Sequence, residues 1–298
     1  MRVVDLFCGC GGMSLGFEKA GFDIVAAFDK WDEAVSVYNL NFAHPAHLMD
    51  LADIKHCTEF ISTTYNPDMI IGGPPCQDFS SAGKRDEDNG RGDLTVNYAE
   101  IIKGIMPKMF VMENVDRIVK TNKLAVAKQI FHEAGYGLSF RIMDASFCGV
   151  PQKRKRFFLI GKVGEPDGFM DDYFELGLSE KPMTMRDYFG NSLGIEYYYR
   201  HPRSYARRGI FSIDEPSPTI RGVNRPMPEG YEIHDNDPVR SKENIRPLTT
   251  KERSQVQTFP ADFQFAGTKT AIEQMIGNAV PVNLAKHIAT IIAEYIKK

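Results

Sequence analysis

Short apolar runs alternate with amphipathic stretches as far as about residue 165. The first apolar run, 2–7, predicts a buried strand, and a glycine-rich turn then leads into a predicted helix over 14–20. A second strand over 23–28 is followed by a helix over 32–40. Further buried strands are predicted over 68–71, 109–112 and 157–160. This alternation is typical of βαβ units, so the pattern predicts a doubly wound α/β domain around a parallel sheet.

The pattern changes over residues 181–270. Prolines and arginines become frequent and the helical periodicity fades, which indicates a smaller unit rich in loops and short strands. The closing stretch, 271–298, is amphipathic again, with isoleucines at helical spacing. We therefore predict a discontinuous first domain, 1–180 plus 271–298, and a second domain over 181–270.

Composition limits the class of protein. With 298 residues, 43% hydrophobic and 25% charged, the chain has the balance of a globular protein, which excludes a disordered or collagen-like chain. No apolar stretch approaches the roughly 20 residues of a membrane span, and we expect no signal peptide. The five cysteines form no CxxC pair, so neither a disulfide framework nor a zinc site is expected. A reducing cytoplasm is the expected compartment.

Charge is distributed unevenly along the chain. The net charge of −3 argues against a strong non-specific nucleic-acid binder. The stretch 198–225, however, contains six arginines and only two acidic residues, and 153–156 is a second basic run. A solvated face explains either cluster about as well as an anionic ligand does.

A glycine-rich turn follows the first predicted strand, within Asp5–Gly12. Glycines let backbone amides approach a ligand, and the N-terminus of the following helix favours negative charge. Asp29 ends the second strand, where an acid commonly binds the ribose of a nucleotide-like ligand. The spacing does not fit GxGxxG and lacks the Lys-Ser/Thr of a phosphate loop, so ATP hydrolysis is not expected. We favour a nucleotide-type ligand over a turn without one.

Two further strand ends carry reactive side chains. Cys76 follows Gly-Gly-Pro-Pro, whose prolines would hold the backbone and aim the thiol, although a free cysteine is more often a small buried hydrophobe. The polar segment 78–92 predicts a surface loop able to close over a substrate. Glu113 and Asn114 follow the strand 109–112. A partly buried glutamate can have a raised pKa and act as an acid, whereas Asn114 could equally be a helix N-cap.

A third polar group precedes the strand over 157–160. Strand alternation directs Gln152, Arg154 and Arg156 to one side, where three polar groups would suit an anion or a base carbonyl.

Together these residues resemble the cytosine-C5 DNA methyltransferases over nearly the whole chain, in the family's usual motif order. The matching stretches are Asp5–Gly12 for the cofactor motif, 75–77 for the nucleophile motif, 113–115 for the acid motif, 152–156 for the glutamine–arginine motif, 246–263 for the motif that organises the recognition domain and 277–281 for the closing motif. The resemblance implies a Rossmann-like S-adenosylmethionine-dependent methyltransferase domain with a smaller target-recognition domain.

The resemblance implies covalent catalysis, because carbon 5 of cytosine is a poor nucleophile. Cys76 would attack C6 of a cytosine flipped out of duplex DNA, and Glu113 would donate a proton or hydrogen bond to N3. C5 would then take a methyl group from S-adenosyl-L-methionine, giving S-adenosyl-L-homocysteine, with no metal. Asn114 would orient Glu113, while Arg154 and Arg156 would engage the cytosine carbonyl and an adjacent phosphate. The base that removes the C5 proton is not assigned.

The resemblance also implies a cofactor pocket and a DNA-binding surface. The implied cofactor residues are Phe7, Gly9, Gly11, Gly12, Asp29, Lys30, Asp50, Pro75, Asn278 and Ala279. Candidate DNA contacts are Ser80, Lys84 and Arg91 in the loop, Arg200, Arg203, Arg207 and Arg208 at phosphates, and Arg221, Asn224 and Arg225 at base edges. The last three lie in a proline-bounded stretch expected to read the target site.

The chain departs from the family pattern at three places. Asp29 stands where family members usually have glutamate. Lys30 stands where an aromatic residue often follows that acid, with Trp31 one place later. Asp78, two residues after the nucleophile, is more acidic than the small residue expected there. If Asp78 pointed inward, it would raise the pKa of the Cys76 thiol and slow its attack.

Two alternatives stay open. A tRNA cytosine-C5 methyltransferase of the same superfamily is disfavoured, because those relatives carry a Cys-Phe-Thr stretch where this chain, at 264–270, has no cysteine. A catalytically silent DNA-binding module is disfavoured by the presence of both Cys76 and Glu113. The compact length suits a single-specificity bacterial or phage enzyme that modifies its own DNA. The resemblance, and no residue of the chain, implies a restriction endonuclease as a genetic partner. We expect the chain to be monomeric on DNA.

Overall fold

The chain folds into two compact units in the computed structural model, which describes residues 1–75, 93–202, 204 and 207–298. The first unit consists of Met1–Met143, Lys155–Leu176 and Ala285–Lys298, and the second of Asp144–Arg154 and Gly177–Leu284. The stretch expected to form the second domain, 181–270, lies inside the second unit. That unit also takes in 144–154 and 271–284, which the hydrophobic pattern joined to the first domain.

The described residues form twelve strands and nine α-helices. The strands are β1 (Arg2–Leu6), β2 (Asp23–Asp29), β3 (Ala46–Leu48), β4 (Met69–Gly72), β5 (Met109–Val115), β6 (Tyr136–Asp144), β7 (Gln152–Lys153), β8 (Lys155–Val163), β9 (Tyr197–Tyr199), β10 (Ile210–Ser212), β11 (Ser217–Pro218) and β12 (Arg246–Pro247). The helices are α1 (Gly12–Lys19), α2 (Asp32–Asn41), α3 (Ile54–Thr64), α4 (Leu94–Ile105), α5 (Asn122–Glu133), α6 (Met185–Phe189), α7 (Thr250–Val256), α8 (Lys269–Asn278) and α9 (Val282–Ile296).

A seven-stranded sheet forms the centre of the first unit, in the order β3–β2–β1–β4–β5–β8–β6. The first five strands of that order run parallel, which confirms the predicted α/β alternation. β8 runs antiparallel to β5, so the predicted parallel sheet also carries an antiparallel strand. An apolar run indicates a buried strand but carries no information on its direction.

The core of the first unit lies between this sheet and the helices α3, α4 and α5. Buried side chains of β1, β4 and β5, such as Leu6, Ile70 and Phe110, form one apolar cluster with helix residues such as Ile102 and Phe131. Burying each side chain of this size contributes about 1.5–3 kcal/mol. The sheet is therefore a rigid base for the residues at the carboxyl ends of its strands.

The end of β5 differs from the sequence expectation. Glu113 and Asn114 lie within the strand, opposite Phe158 and Phe157 of β8, and do not follow it. The N-cap of the next turn, a 3-10 helix, is Val115, so Asn114 is not a helix cap. The extra length comes from the ladder with β8, a long-range pairing that local sequence does not reveal.

The second unit contains a three-stranded sheet, β10–β9–β12, and a two-stranded sheet, β11–β7. Helices α6 and α7 begin with capping boxes, in which Thr184 pairs with Asp187 and Thr249 with Glu252. No helix in the described part of the chain is long and apolar enough to cross a membrane.

Candidate active site

The glycine turn after β1 adopts left-handed backbone conformations that favour glycine. The φ angles are +58° at Phe7, +53° at Gly9 and +92° at Gly11. A Cβ atom added at Gly9 would have no heavy atom within 4 Å, whereas one at Gly11 would overlap the Phe42 ring. The turn therefore packs tightly at Gly11 and leaves open space for a ligand at Gly9, just before Gly12 begins α1.

Asp29, at the end of β2, is hydrogen-bonded to this turn. Its Oδ2 accepts a hydrogen bond from the Gly9 N–H at 2.8 Å, and its Oδ1 accepts one from the Trp31 N–H at 2.9 Å. A carboxylate has about four acceptor positions, so capacity remains for a ligand hydroxyl. Lys30, the next residue, is exposed.

The neighbouring strand, β3, adds further residues at the same edge of the sheet. Leu48 is paired with Asp29 and is 59% exposed, and Asp50 follows two residues later, also exposed. The carboxyl ends of β1, β2 and β3 thus bring most of the predicted cofactor residues of the first unit to one edge. Sequence reasoning missed Leu48, and its only signal was an apolar residue before the acid at Asp50.

A buried hydrogen-bond chain runs from Asp5 beside the glycine turn. Asp5 Oδ2 accepts from Ser14 Oγ at 2.6 Å, and the Tyr38 hydroxyl donates to Ser14 Oγ at 2.7 Å. The ring Nε2 of His44 lies 2.6 Å from the same hydroxyl. Burial raises the pKa of Asp5 to about 7, the Ser14 hydrogen bond opposes the shift, and the negative charge of Asp29 adds to it.

Glu113 and Arg156 form a buried ion pair across the β5–β8 ladder. Arg156 Nε lies 2.9 Å from Glu113 Oε1, with the two side chains 14% and 11% exposed. A Cβ atom added at Gly73 would lie 3.1 Å from Glu113 Oε2, so the glycine after β4 leaves room for this carboxylate. The predicted acid therefore sits beside the Gly-Gly-Pro-Pro run that leads to Cys76.

Asn114 holds the same run in place. Its Nδ2 donates to the Pro74 carbonyl oxygen at 2.9 Å, and its Oδ1 accepts from the Val115 N–H at 2.8 Å. The side chain thus anchors the backbone two residues before Cys76.

Part of the predicted site lies outside the described residues. These residues are Cys76, Ser80, Lys84, Arg91 and Arg203. Pro75 is described and exposed. Across the described ranges, no group of three or more histidine, cysteine, aspartate or glutamate residues could hold a metal ion.

The glutamine–arginine motif is divided between the two units, with Gln152 and Arg154 in the second and Arg156 in the first. The strand is interrupted at Arg154, which lies between β7 and β8. Arg154 is 2% exposed, and its guanidinium donates to the carbonyl oxygens of Ile220, Gly277 and Ala279 at 3.0, 3.0 and 3.1 Å. Through these contacts the N–H groups of Arg154 hold backbone within the second unit.

The candidate base-reading residues differ in their surroundings. Asn224 Nδ2 donates to the Leu248 carbonyl oxygen at 2.9 Å and to Glu273 Oε1 at 3.1 Å, so this amide supports the fold. Arg221 donates to the His201 carbonyl oxygen. Arg225 is exposed. Of these three candidates, Arg225 is the exposed one, while Arg221 and Asn224 are half-buried.

The candidate phosphate-binding arginines also differ in their contacts and exposure. Arg200 donates to the Thr219 carbonyl oxygen at 2.7 Å. Arg208 pairs with Glu215 and lies over the Phe211 ring, 4.3 Å from its centroid, while Arg207 is exposed.

A pocket in the second unit brings residues of both groups together. Its lining residues are Tyr198, Tyr199, Arg200, His201, Ser217, Ile220, Val223, Asn224, Arg225, Leu248 and Arg253. Arg200, expected at a phosphate, and Arg225, expected at a base edge, therefore face the same space.

The two closing-motif residues predicted at the cofactor belong to the second unit. Asn278 is exposed at the last position of α8. The carbonyl oxygen of Ala279 accepts hydrogen bonds from Arg154 and from Gln257 Nε2, the latter at 3.1 Å. The backbone at Ala279 therefore belongs to the scaffold around Arg154.

The sequence and the fold of this chain were compared with those of known proteins. A family model described as C-5 cytosine-specific DNA methylase matches residues 1–294. The Type II methyltransferase M.HindV of Haemophilus influenzae is 58% identical, over 100% of this chain and 98% of that protein. M.HgiDI of Herpetosiphon aurantiacus, another Type II methyltransferase, is 53% identical over 100% and 96%. The solved structure of S. pombe Dnmt2 methyltransferase shares the fold, with a TM-score of 0.70 and 18% identity, over 100% of this chain and 98% of that one.

Proposed function

Because the chain belongs to the C-5 cytosine-specific DNA methylase family and is a DNA (cytosine-5-)-methyltransferase, we propose that it methylates one cytosine within a short recurring site of duplex DNA. Its relatives at 58% and 53% identity are Type II methyltransferases, which supports a role as the modification enzyme of a restriction–modification system. The substrate named by the family model is DNA, which favours DNA over the tRNA alternative.

Family membership implies S-adenosylmethionine as the methyl donor, and the residues at the ends of β1, β2 and β3 fit it. The open space at Gly9 admits a ligand against the backbone, and Asp29 has acceptor capacity for ribose hydroxyls. Leu48 offers exposed apolar surface for an adenine ring, and Asp50 offers a carboxylate for its amine. When bound, this cofactor supplies the methyl group; we propose S-adenosylhomocysteine as the product and no metal.

The ion pair of Glu113 with Arg156 carries the catalytic assignment. Cys76, as thiolate, forms a bond to C6 of the flipped cytosine, and Glu113 protonates or hydrogen-bonds N3, so that electron density builds at C5. Once C5 carries the methyl group, a base takes the C5 proton, the C5–H electron pair restores the C5=C6 double bond, and Cys76 leaves as thiolate. Arg156 keeps the Glu113 carboxyl group directed beside Gly73, and Asn114 holds the backbone before Cys76.

Bisulfite sequencing of plasmid DNA from cells that express the chain tests this function, beside the Cys76→Ala variant. We expect protected cytosines at one short recurring site, and none with the variant. Conversion of every cytosine in both samples would contradict DNA methylation. Protection that persists in the variant would contradict the role of Cys76. A silent DNA-binding module would bind the site and protect no cytosine.

The setting of the enzyme is part of the same proposal. We propose that it acts as a monomer on the DNA of its own cell, in the cytoplasm, with a restriction endonuclease as a genetic partner. Light scattering of the protein with and without a short duplex tests the monomer. A mass of two chains per duplex would contradict it.

A further inference from the structure

One short segment of the second unit is held by buried polar side chains; we call Thr219–Arg225 the recognition segment. The Ile220 N–H donates to Gln152 Oε1 at 2.8 Å, and Arg154 donates to the Ile220 carbonyl oxygen at 3.0 Å. Both side chains are at most 2% exposed. The peptide groups of Ile220 are therefore fixed on both sides by residues from the glutamine–arginine motif.

A second set of contacts holds the middle of the recognition segment. Arg253 Nη1 donates to the Val223 carbonyl oxygen at 3.4 Å, and Nη2 donates to that of Arg221. Arg253 Nε lies 2.7 Å from Glu273 Oε2, and these two side chains are 6% and 4% exposed. The same glutamate accepts from Asn224 Nδ2. A buried ion pair thus holds the backbone on both sides of Val223.

Close backbone packing completes the fixation. A Cβ atom added at Gly277 of α8 would overlap the backbone of Gly222. The recognition segment therefore cannot shift along α8 without displacing the helix. Because its backbone is already ordered, little conformational freedom remains to be lost when a ligand binds.

The fixed backbone presents an aliphatic side chain to solvent. Val223 is 53% exposed and lines the pocket together with Arg225, Arg200 and His201. The aliphatic side chain of Val223 cannot bind a phosphate group. Together with the cationic residues beside it, it would fit a binding partner whose surface is anionic and partly apolar. The major groove of DNA has this character, since the C5 edge of a pyrimidine is apolar.

We propose that Val223 is a specificity-determining residue, which contacts the apolar C5 edge of a pyrimidine in the target site while Arg225 contacts a neighbouring base. The proposal rests on the proposed function, because it presumes site-specific methylation of duplex DNA. Gln152, Arg154 and Arg253 are then positioning residues that act through the backbone of the recognition segment.

The Val223→Ala variant tests this assignment on a library of duplexes that differ from the target site at single base pairs. Methylation of each duplex is read by bisulfite sequencing. We expect methylation at near-cognate sites to rise about five- to tenfold relative to the target, at one base-pair position only. Val223→Ile keeps the aliphatic contact and should retain the discrimination. Val163→Ala removes an exposed valine at the end of β8 and should leave the site profile unchanged.

The outcomes separate this proposal from the proposed function. A Val223→Ala profile equal to that of the wild type would overturn the assignment of Val223. Relaxation spread equally over all positions would also overturn it, because a single contact affects a single base pair. If the wild-type chain protects no cytosine in any duplex, the proposed function itself fails, whatever the variants do.

Discussion

Glu113 depends on residues of two other strands for its placement. Arg156 of β8 binds one carboxylate oxygen, and Gly73 after β4 leaves space beside the other. The sequence predicted the glutamate as the acid. It did not predict the arginine as its partner, because that pairing follows from the antiparallel ladder between β5 and β8.

Substitution of Glu113 by glutamine keeps the size of the side chain and removes the carboxyl group. We expect the single-turnover methylation rate of Glu113→Gln to fall by about 10²- to 10⁴-fold, the usual contribution of general acid catalysis. The dissociation constant for target DNA should change far less, because the group acts on the ring nitrogen during the reaction. Rapid-quench assays and fluorescence anisotropy measure the two quantities. A rate within twofold of the wild type would refute the assignment.

Asp5 makes stability depend on pH. Its pKa is raised from 3.8 to about 7 by burial in the folded protein. As pH rises from about 4 to 7, the unfolded chain loses a proton that the folded chain retains, so the free energy of unfolding decreases. Below pH 4 the raised pKa of Asp5 contributes roughly 4 kcal/mol to the free energy of unfolding. This contribution is lost once the pH has passed 7.

The Asp5→Asn variant removes this titration. We expect its melting temperature, relative to that of the wild type, to be higher at pH 8 than at pH 4.5, because only the wild type must ionise a buried carboxyl group. Differential scanning fluorimetry at the two pH values measures this difference. An equal difference at both pH values would show that Asp5 does not titrate in this range.

The sequence predicted those secondary-structure elements that depend on a local pattern of apolar residues and glycines. The apolar runs and the glycine turn predicted β1, α1, β2 and α2 to within two residues at each end. The direction of β8 and the end of β5 were not predictable, because both depend on pairing between distant strands. Arg154 shows the same limit within a motif, because its partner, the carbonyl oxygen of Ile220, lies 66 residues away along the chain.

The alignment of β4 with β5 gives a prediction at the level of elements. A Cβ atom at Gly73 would lie 3.1 Å from Glu113 Oε2, so in Gly73→Ala the carboxylate has to shift by a few tenths of an ångström beside Arg156. We expect the methylation rate to fall by at least tenfold while the circular dichroism spectrum stays unchanged. As a control, Gly230→Ala changes a glycine outside the left-handed region of φ, where an added Cβ atom meets nothing within 4 Å. An unchanged rate for Gly73→Ala would mean that the carboxylate can move without loss.

At the level of the whole molecule, the hydrophobic pattern predicted two domains, 1–180 plus 271–298 and 181–270. The hydrophobic pattern joined 144–154 and 271–284 to the first domain, and in the structure these stretches fold with 177–284. The reason is visible at Gln152 and Arg154, whose partners lie far along the sequence. Polar contacts of this kind leave no periodic signal.

The uneven charge distribution predicts how DNA binding responds to salt. The net charge is −3, so attraction to DNA has to come from the local arginine cluster, in which Arg207 is exposed. We expect Arg207→Ala to weaken binding of all sequences alike and to reduce the slope of log K against log salt by about 0.9. Lys55→Ala in α3 removes an exposed cation of the first unit and should leave the slope unchanged. A change in site preference with an unchanged slope would mean that Arg207 reads bases.

The two-piece construction of the second unit has a consequence for inheritance. Gln152 and Arg154 come from one stretch of the gene, and the backbone that they hold at Ile220 comes from another. A single recombination event that replaced only the later stretch would pair the native Gln152 and Arg154 with a foreign backbone segment at position 220. We therefore expect functional hybrids between related genes to exchange both stretches together, so that target preference passes between lineages as a matched pair.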